Sequence, residues 1–183
     1  GLIQMTTSIV ERETATRAAL ELLTATADDV RAAGIEIEVL TGGGTGTSVI
    51  DVELVGLTEL QPGSYIFMDS RYTTIEWSGG ALTPFENALT VLGTVVSRPA
   101  ADRCIVDVGY KAASSDGGAP LPLGLEGVVF SFAGDEHGQL QFTDRARPPD
   151  IGDKVSFAPS HCDTTVNLYD QFIVTRKNHI ESI

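Results

Sequence analysis

A histidine and an aspartate separated by one residue, His161 and Asp163, are the side chains with the clearest chemical potential in this sequence. Side chains at positions i and i+2 leave an extended backbone on the same side, so the two could share one cation while Cys162 points away. Imidazole with carboxylate is a borderline-to-hard ligand pair that suits Mn, Fe, Zn or Mg. The spacing predicts a metal site, although a surface loop or a hydrogen-bonded turn would also explain the pair.

A run of glycine and threonine at residues 41–47, TGGGTGT, is the second candidate site. Successive small residues leave backbone N–H groups free to approach an anion such as phosphate. The run matches neither the GxGxxG pattern of dinucleotide-binding proteins nor the GK[ST] pattern of nucleotide triphosphatases. Two interpretations therefore stay open, a phosphate-binding loop and a tight turn without a ligand.

Two further segments, residues 107–116 and 136–138, place ionisable residues in predicted loops, where sites are often built. His137 is one of three histidines and lies beside Glu136, which could orient its ring, so it is a candidate site residue. Lys111 has the chemistry of a Schiff-base nucleophile, but a partly exposed lysine is far more often solvated or paired.

The elements that must position these residues change in character along the chain. Residues 5–33 have a helical pattern, as one helix or as two joined near residues 24–26, and Gly34 follows where a helix would stop. An alternating run at residues 35–40 predicts a strand that leads into the glycine run. The other predicted strands are residues 49–55, 64–68, 89–97, 104–108, 127–132, 139–142, 154–157 and 172–175. A helix followed by a series of strands indicates the α+β class, with a boundary between residues 72 and 88.

Composition narrows the class of protein further. The chain of 183 residues is 42% hydrophobic, which is enough for one domain or two small ones. A net charge of -13 with only 12 Lys and Arg disfavours nucleic acid or an anionic membrane as a partner. The two cysteines are far apart, and no signal-peptide pattern or membrane-length apolar run occurs, so we expect a cytoplasmic protein.

Six segments, taken in order, resemble the D-threonine aldolase and D-serine dehydratase-like family. They are residues 41–47 (TGGGTGT), 61–69 (QPGSYIFMD), 95–99 (VVSRP), 107–111 (DVGYK) with 115–116 (SD), 136–138 (EHG) and 160–170 (SHCDTTVNLYD). These are pyridoxal 5'-phosphate enzymes of the alanine racemase fold type, with a TIM-like barrel for the cofactor and a β domain for a divalent metal. The resemblance implies that residues 1–80 are the last strand and helix units of the barrel. It implies that residues 81–183 are a mostly antiparallel β domain with the metal site.

The resemblance also implies roles for particular residues. The metal, Mn, Mg or Zn, would be bound by His161 and Asp163, which would act in catalysis through it. The residues implied to contact or lie near the cofactor are Gly43, Gly44 and Thr45, at its phosphate, and Tyr65 close by.

The activity implied is cleavage of D-threonine and related D-β-hydroxy amino acids to glycine and an aldehyde. The metal would lower the pKa of the substrate β-hydroxyl, and the cofactor ring would accept the carbanion. Dehydratases of the family tend to have Cys where this chain has Asp163, so the aldolase is favoured over a D-serine dehydratase-like lyase. A racemase, another alternative, would not need the metal pair.

One departure from the family concerns the Schiff-base lysine, which lies near the N-terminus of the family's barrel. Lys111, Lys154 and Lys177 do not stand in a matching context. We therefore expect the chain to be the C-terminal part of a longer enzyme, acting with a lysine-bearing N-terminal segment or chain and as a homodimer. A non-catalytic metal-binding fragment is the alternative, and the roles of Glu136 and Asp116 are left open.

Overall fold

The computed structural model describes residues 2–80, 83–143, 147–177 and 179–183. The chain consists of two compact units, Gly1–Ala88 and Leu89–Ile183. The predicted boundary between residues 80 and 81 adjoins residues 81–82, which lie outside the described residues. Helix is concentrated in the first unit and antiparallel sheet in the second, so the α+β prediction is confirmed. No helix among the described residues is both long and apolar enough to span a bilayer.

One long helix dominates the first unit. A 3₁₀ turn, Ile3–Met5, precedes helix α1, Ile9–Ala32, and the Ser8 hydroxyl accepts a hydrogen bond from the N–H of Glu11 at its start. The helix is continuous through residues 24–26, so the single-helix alternative is the correct one. Gly34 ends it in the left-handed region, at φ 85°, as glycine can without strain.

The rest of the first unit has little sheet. Strands β1, Thr41–Gly42, and β2, Glu59–Leu60, form a two-residue parallel pair. Between them lie a 3₁₀ turn, Thr45–Thr47, and the short helix α2, Ser48–Asp51. Three more 3₁₀ turns follow, at Ser64–Ile66, Ser70–Thr73 and Ser78–Gly80.

Three strand predictions in this unit are therefore wrong. Residues 35–40 have no regular structure, residues 49–55 begin in α2, and residues 64–68 form a turn in which the N–H of Met68 donates to Ser64 O at 2.6 Å. A β-branched or alternating run shows which side chains suit a pleated surface, but a strand also needs a neighbouring backbone to pair with.

The second unit is built on a six-stranded antiparallel sheet in the order β5-β8-β3-β4-β7-β6. The strands are β3 Val91–Ala100, β4 Arg103–Val106, β5 Leu121–Pro122, β6 Val128–Phe132, β7 Gly138–Phe142 and β8 Lys154–Ala158. Helix α3, Cys162–Val166, follows β8, and a hairpin of β9, Val174–Arg176, and β10, His179–Ser182, ends the chain. The strands predicted at residues 89–97, 104–108, 127–132, 139–142 and 154–157 are confirmed within a few residues.

Each unit has its own apolar core. The first packs Met68, Tyr72, Ile75 and Trp77 together, and the second packs the inward-facing side chains of the sheet around Leu140. Burial alternates along β7, as expected for a sheet with one covered face. His161 comes three residues after the end of β8, which is paired with a strand on each side, so the sheet fixes the position of the candidate metal pair.

Candidate metal centre

His161 and Asp163, here called the ligand pair, lie where β8 gives way to α3. His161 keeps an extended backbone, with φ −143° and ψ 117°, whereas Asp163 belongs to the first turn of the helix. The two side chains nevertheless face each other, with His161 Nε2 3.7 Å from Asp163 Oδ2. Cys162 is 1% exposed, and its thiol donates to Asp163 Oδ1 at 3.2 Å. A helical turn, and not the extended segment we predicted, therefore brings the pair together.

A third residue, Asp116, sits on the opposite side of the imidazole ring. Its Oδ2 lies 2.6 Å from His161 Nδ1, and its Oδ1 accepts hydrogen bonds from Ser114 Oγ at 2.7 Å and Thr164 Oγ1 at 2.8 Å. Partial burial opposes ionisation of Asp116, but the bonds from Ser114, His161 and Thr164 outweigh it and hold the pKa of this carboxyl well below its usual range. From the sequence alone, Asp116 was noted in a predicted loop but its role was left open.

The charge on Asp116 determines which nitrogen of His161 carries the proton. An ionised carboxylate only accepts hydrogen bonds, so the network assigns the proton to Nδ1. In the neutral ring Nε2 then has a lone pair directed to the side where Asp163 Oδ2 lies. Two electron-rich atoms facing each other at this distance are the arrangement that a cation stabilises.

Several hydrogen bonds join the loop that carries Asp116 to α3 and its flanking residues. They run from Ser160 Oγ to Ser114 O at 3.2 Å, from Ser114 N to Thr165 Oγ1 at 3.2 Å, and from Tyr169 Oη to Ala112 O at 2.7 Å. Ser160 and Thr165 are each 1% exposed, so the two bonds that they make are partly shielded from water. The position of Asp116 beside His161 is consequently fixed from several points.

The start of the same loop is held against the turn between β6 and β7. The N–H groups of Tyr110 and Lys111 donate to Gly134 O at 3.2 Å and Asp135 O at 3.0 Å. A Cβ atom at Gly109 would collide with the backbone of Asp135, so only glycine allows this close approach.

His137 lies in that turn with an exposed side chain, and its carbonyl accepts from Ala133 N at 2.9 Å. Glu136 makes an ion pair with Lys111, and its hydrogen bond and charge raise the pKa of Lys111. A raised pKa works against a nucleophilic role for that lysine. In the part of the chain that the structure describes, no hydrogen bond or ion pair connects His137 to the ligand pair.

The glycine loop lies in the first unit, and the predicted cofactor residues are neighbours there. Gly43 has φ 79°, and the N–H of Tyr65 donates to Thr45 Oγ1 at 3.1 Å. A Cβ atom at Gly43 would collide with the carboxylate of Asp51, and one at Gly44 with the amide of Gln4. These oxygen-bearing groups reach the loop backbone only because glycine stands at both positions.

Asp51 is buried beside this loop. Burial raises the pKa of Asp51, against the opposing effect of hydrogen bonds from Thr47 Oγ1, at 2.7 Å, and the Gly44 backbone. A carboxyl that resists ionisation lowers the negative charge next to the loop.

Protein atoms alone supply a limited ligand set. Across residues 2–80, 83–143, 147–177 and 179–183, no three His, Cys, Asp or Glu side chains form a cluster that could hold a metal ion. The ligand pair therefore offers two ligands, which leaves other coordination positions for water or a substrate.

Comparisons with known proteins find similar sequences over the whole of this chain. Residues 88–175 match the family described as a putative serine dehydratase domain. The chain is 39% identical over 183 residues to a D-threonine aldolase from Arthrobacter sp. and 33% identical over 186 residues to a 3-hydroxy-D-aspartate aldolase from Paracoccus denitrificans. All of this chain is covered in both cases, but only 48% of each relative, so it spans about half their length.

Solved structures give the same result. A crystal structure of D-threonine aldolase from Filomicrobium marinum matches with a TM-score of 0.91 and 36% identity, over 97% of this chain and 48% of that one. Two variants of a D-threo-3-hydroxyaspartate dehydratase match with TM-scores of 0.66 and 0.64 at 28% identity, over 80% of this chain and 42% and 43% of theirs. One replaces a histidine by alanine; the other, in a metal-free form, replaces a cysteine two positions later.

An alanine racemase-like protein from Idiomarina loihiensis shares the fold, with a TM-score of 0.65 at 20% identity over 78% of this chain and 42% of that one. The comparisons thus confirm the predicted fold class. They also confirm the resemblance to the D-threonine aldolase and D-serine dehydratase-like proteins that the sequence motifs indicated.

Proposed function

We propose that this chain is the C-terminal part of a pyridoxal 5'-phosphate- and metal-dependent aldolase that cleaves D-threonine and related D-β-hydroxy amino acids to glycine and an aldehyde. The observation that carries the proposal is the ligand pair, with Nε2 and Oδ2 facing each other at 3.7 Å in a chain similar to two D-amino acid aldolases. The lysine that binds the cofactor would come from an N-terminal segment or chain, and the protein would work in the cytoplasm as a homodimer.

The donor set fits a divalent metal. Two ligands at about 2.1 Å from one ion stand roughly 3.0–3.6 Å apart at ordinary coordination angles. The observed 3.7 Å needs a small side-chain rotation, which the exposed Asp163 can make. Nitrogen and carboxylate oxygen suit Mn, Mg or Zn.

The glycine loop fits the phosphate of the cofactor. Side-chain oxygens of Asp51 and Gln4 already lie close to the backbone at Gly43 and Gly44. The N–H of Tyr65 donates a hydrogen bond to Thr45 Oγ1. Successive backbone N–H groups in a glycine-rich loop such as this one can form an anion site. Because burial favours the uncharged form of Asp51, that carboxyl can coexist with a phosphate group.

When bound, the two cofactors would supply a Lewis acid at the substrate β-hydroxyl and an acceptor for the electron pair of the broken Cα–Cβ bond. The chain's own residues orient these groups. His161 would present Nε2 to the metal, Asp116 is hydrogen-bonded to Nδ1, and Asp163 would supply a carboxylate oxygen. His137, exposed on its turn, is retained as a candidate for contact with substrate.

A D-serine dehydratase-like lyase is the second candidate. Its support is the similarity to the dehydratase, in which a histidine and a cysteine two positions apart were the residues replaced. This chain has the same spacing but with an aspartate as the second member, and we therefore favour the aldolase.

The test uses the natural protein that contains this chain, loaded with pyridoxal phosphate and Mn, and supplied separately with D-threonine, D-3-hydroxyaspartate and D-serine. We expect glycine with acetaldehyde or glyoxylate, and inhibition by EDTA that Mn reverses. Replacing either member of the ligand pair by alanine should lower kcat/KM by on the order of a thousandfold. Asp150→Asn, which changes an acidic residue paired with Arg98, is the matched control and should leave kcat/KM within about twofold.

Other outcomes separate the alternatives. Release of pyruvate and ammonia from D-serine, without glycine from D-threonine, would support the dehydratase. Metal binding without turnover of any substrate by the complete protein would favour a non-catalytic metal-binding role. Activity insensitive to EDTA would contradict the metal-dependent proposal.

A further inference from the structure

We propose that Asp116 is a positioning residue that keeps the metal-binding nitrogen of His161 unprotonated and correctly directed. The inference rests on the proposed metal site and extends it to a residue outside the ligand pair. Asp116 would act on His161 through the hydrogen bond between Asp116 Oδ2 and His161 Nδ1, at 2.6 Å.

Both oxygens of Asp116 are committed. Oδ2 faces His161, while Oδ1 accepts from Ser114 Oγ and Thr164 Oγ1. A carboxylate held at three points cannot rotate away from the ring without breaking several bonds. The orientation of Asp116 is therefore set by the protein and transmitted to the imidazole.

The neutral imidazole has a single N–H group, which can lie on either nitrogen. With the proton on Nε2, the ring cannot coordinate a metal through that atom. An acceptor at Nδ1 shifts the proton to Nδ1 and leaves the lone pair on Nε2 free to bind a metal. Asp116 is placed to accept from Nδ1, and Asp163 lies on the opposite side of the ring, facing Nε2.

A purely structural role is the competing explanation, because Asp116 also braces its own loop through Ser114 and Thr164. The two explanations differ at His161. A brace affects folding stability, whereas a positioning residue also determines which ring nitrogen carries the proton. The tautomer of His161 is thus the decisive observable.

The experiment measures Mn affinity by calorimetry and the tautomer of His161 by ¹⁵N NMR, on the natural protein that contains this chain and on its variants Asp116→Ala and Asp116→Asn. Replacing His161 with Gln identifies the NMR signals of that ring. We expect Asp116→Ala to weaken Mn binding by about 10–100-fold and to move the ring proton toward Nε2. Asp116→Asn should retain part of the affinity because the amide oxygen can still accept from Nδ1.

Thr164→Val and Asp150→Asn are the matched controls. The first removes one bond to Asp116 and should have a smaller effect, and the second removes an acidic charge elsewhere in the same unit and should leave Mn affinity unchanged. Wild-type affinity or an unchanged tautomer in a folded Asp116→Ala variant would overturn the role of Asp116 but leave the proposed metal site standing. If His161→Gln binds Mn as well as wild type does, the metal site itself is wrong, and the inference fails with it.

Discussion

At the scale of residues, the imidazole of His161 has a carboxylate on each side. Asp116 meets Nδ1 at hydrogen-bonding distance, whereas Asp163 faces Nε2 from beyond it. The two carboxylates therefore differ in their surroundings even though both adjoin the same ring. Asp116 is hydrogen-bonded to the ring, whereas the Asp163 side chain is 68% exposed, which leaves room for the rotation that the proposed metal binding would need.

We predict that Asp163→Cys changes metal preference. A thiolate is a softer ligand than a carboxylate, so the ratio of Zn affinity to Mn affinity should rise at least about tenfold. Competition titrations with a chromophoric chelator measure both constants. Asp163→Asn is the control, since it keeps an oxygen donor without the charge and should weaken both metals. An unchanged affinity ratio in Asp163→Cys would count against coordination by residue 163.

The spacing of His161 and Asp163 was readable from the sequence, but the partner of His161 was not. Asp116 lies 45 positions earlier, and nothing in local spacing relates two loops that only the folded sheet brings together. The backbone at the pair was also mispredicted as extended, because the short helix α3 begins directly after His161. A one-turn helix carries too few residues for its apolar period to be recognised.

At the scale of elements, α3 and the loop of residues 112–116 function as one piece. Thr165 is buried on α3, and its hydroxyl oxygen accepts the N–H of Ser114. Removing that acceptor would leave the partly buried N–H of Ser114 without its hydrogen-bond partner. The cost of such an orphaned group is larger than the net value of the hydrogen bond itself.

We therefore predict that Thr165→Val destabilises the chain by about 1–3 kcal/mol. Urea unfolding gives the free energy, and calorimetry on the same samples shows whether Mn affinity falls in parallel. Thr165→Ser keeps the hydroxyl and is the matched control, with a loss below about 1 kcal/mol. Equal stability of the Val and Ser variants would mean that the Ser114 bond contributes nothing.

Sheet elements were predictable in one unit and not in the other, for a physical reason. In the second unit, β3 and β4 as well as β6 and β7 are neighbours in sequence and in the sheet, so each of these four strands has a nearby partner. Among the described residues of the first unit, only Thr41–Gly42 and Glu59–Leu60 pair. The alternation of polar and apolar residues at 35–40 is typical of a strand, but it carries no information about whether a neighbouring strand is available to pair with.

At the scale of the whole molecule, the chain has two cores and a single tryptophan, Trp77, buried in the first of them. Arg12 of α1 lies beside it: its guanidinium is buried and donates to the carbonyls of Thr6, Thr7 and Glu76. This arrangement joins the beginning of α1 to the segment that carries Trp77. The fluorescence of one residue can thus report on the folding of the first unit.

We predict that Arg12→Ala lowers the urea midpoint of the Trp77 fluorescence transition, with a loss of about 3 kcal/mol or more, because three carbonyls lose their donor and Trp77 loses a fully buried neighbour. Arg17→Ala, on the same helix, removes only an exposed ion pair with Glu13 and should cost less than about 1 kcal/mol. Equal midpoints for the two variants would show that the Arg12 contacts do not support this core.

The bonds between the Asp116 loop and the α3 region connect residues 45 to 57 positions apart in the chain. Neither segment can open alone without breaking bonds to the other, so local unfolding of this region is expected to be one cooperative event. The amide of Ser114 should accordingly exchange with deuterium at the rate of that event, and proteases should gain access to both segments at the same moment. A cation held by the ligand pair would slow both processes together, which makes resistance to proteolysis a measure of metal occupancy.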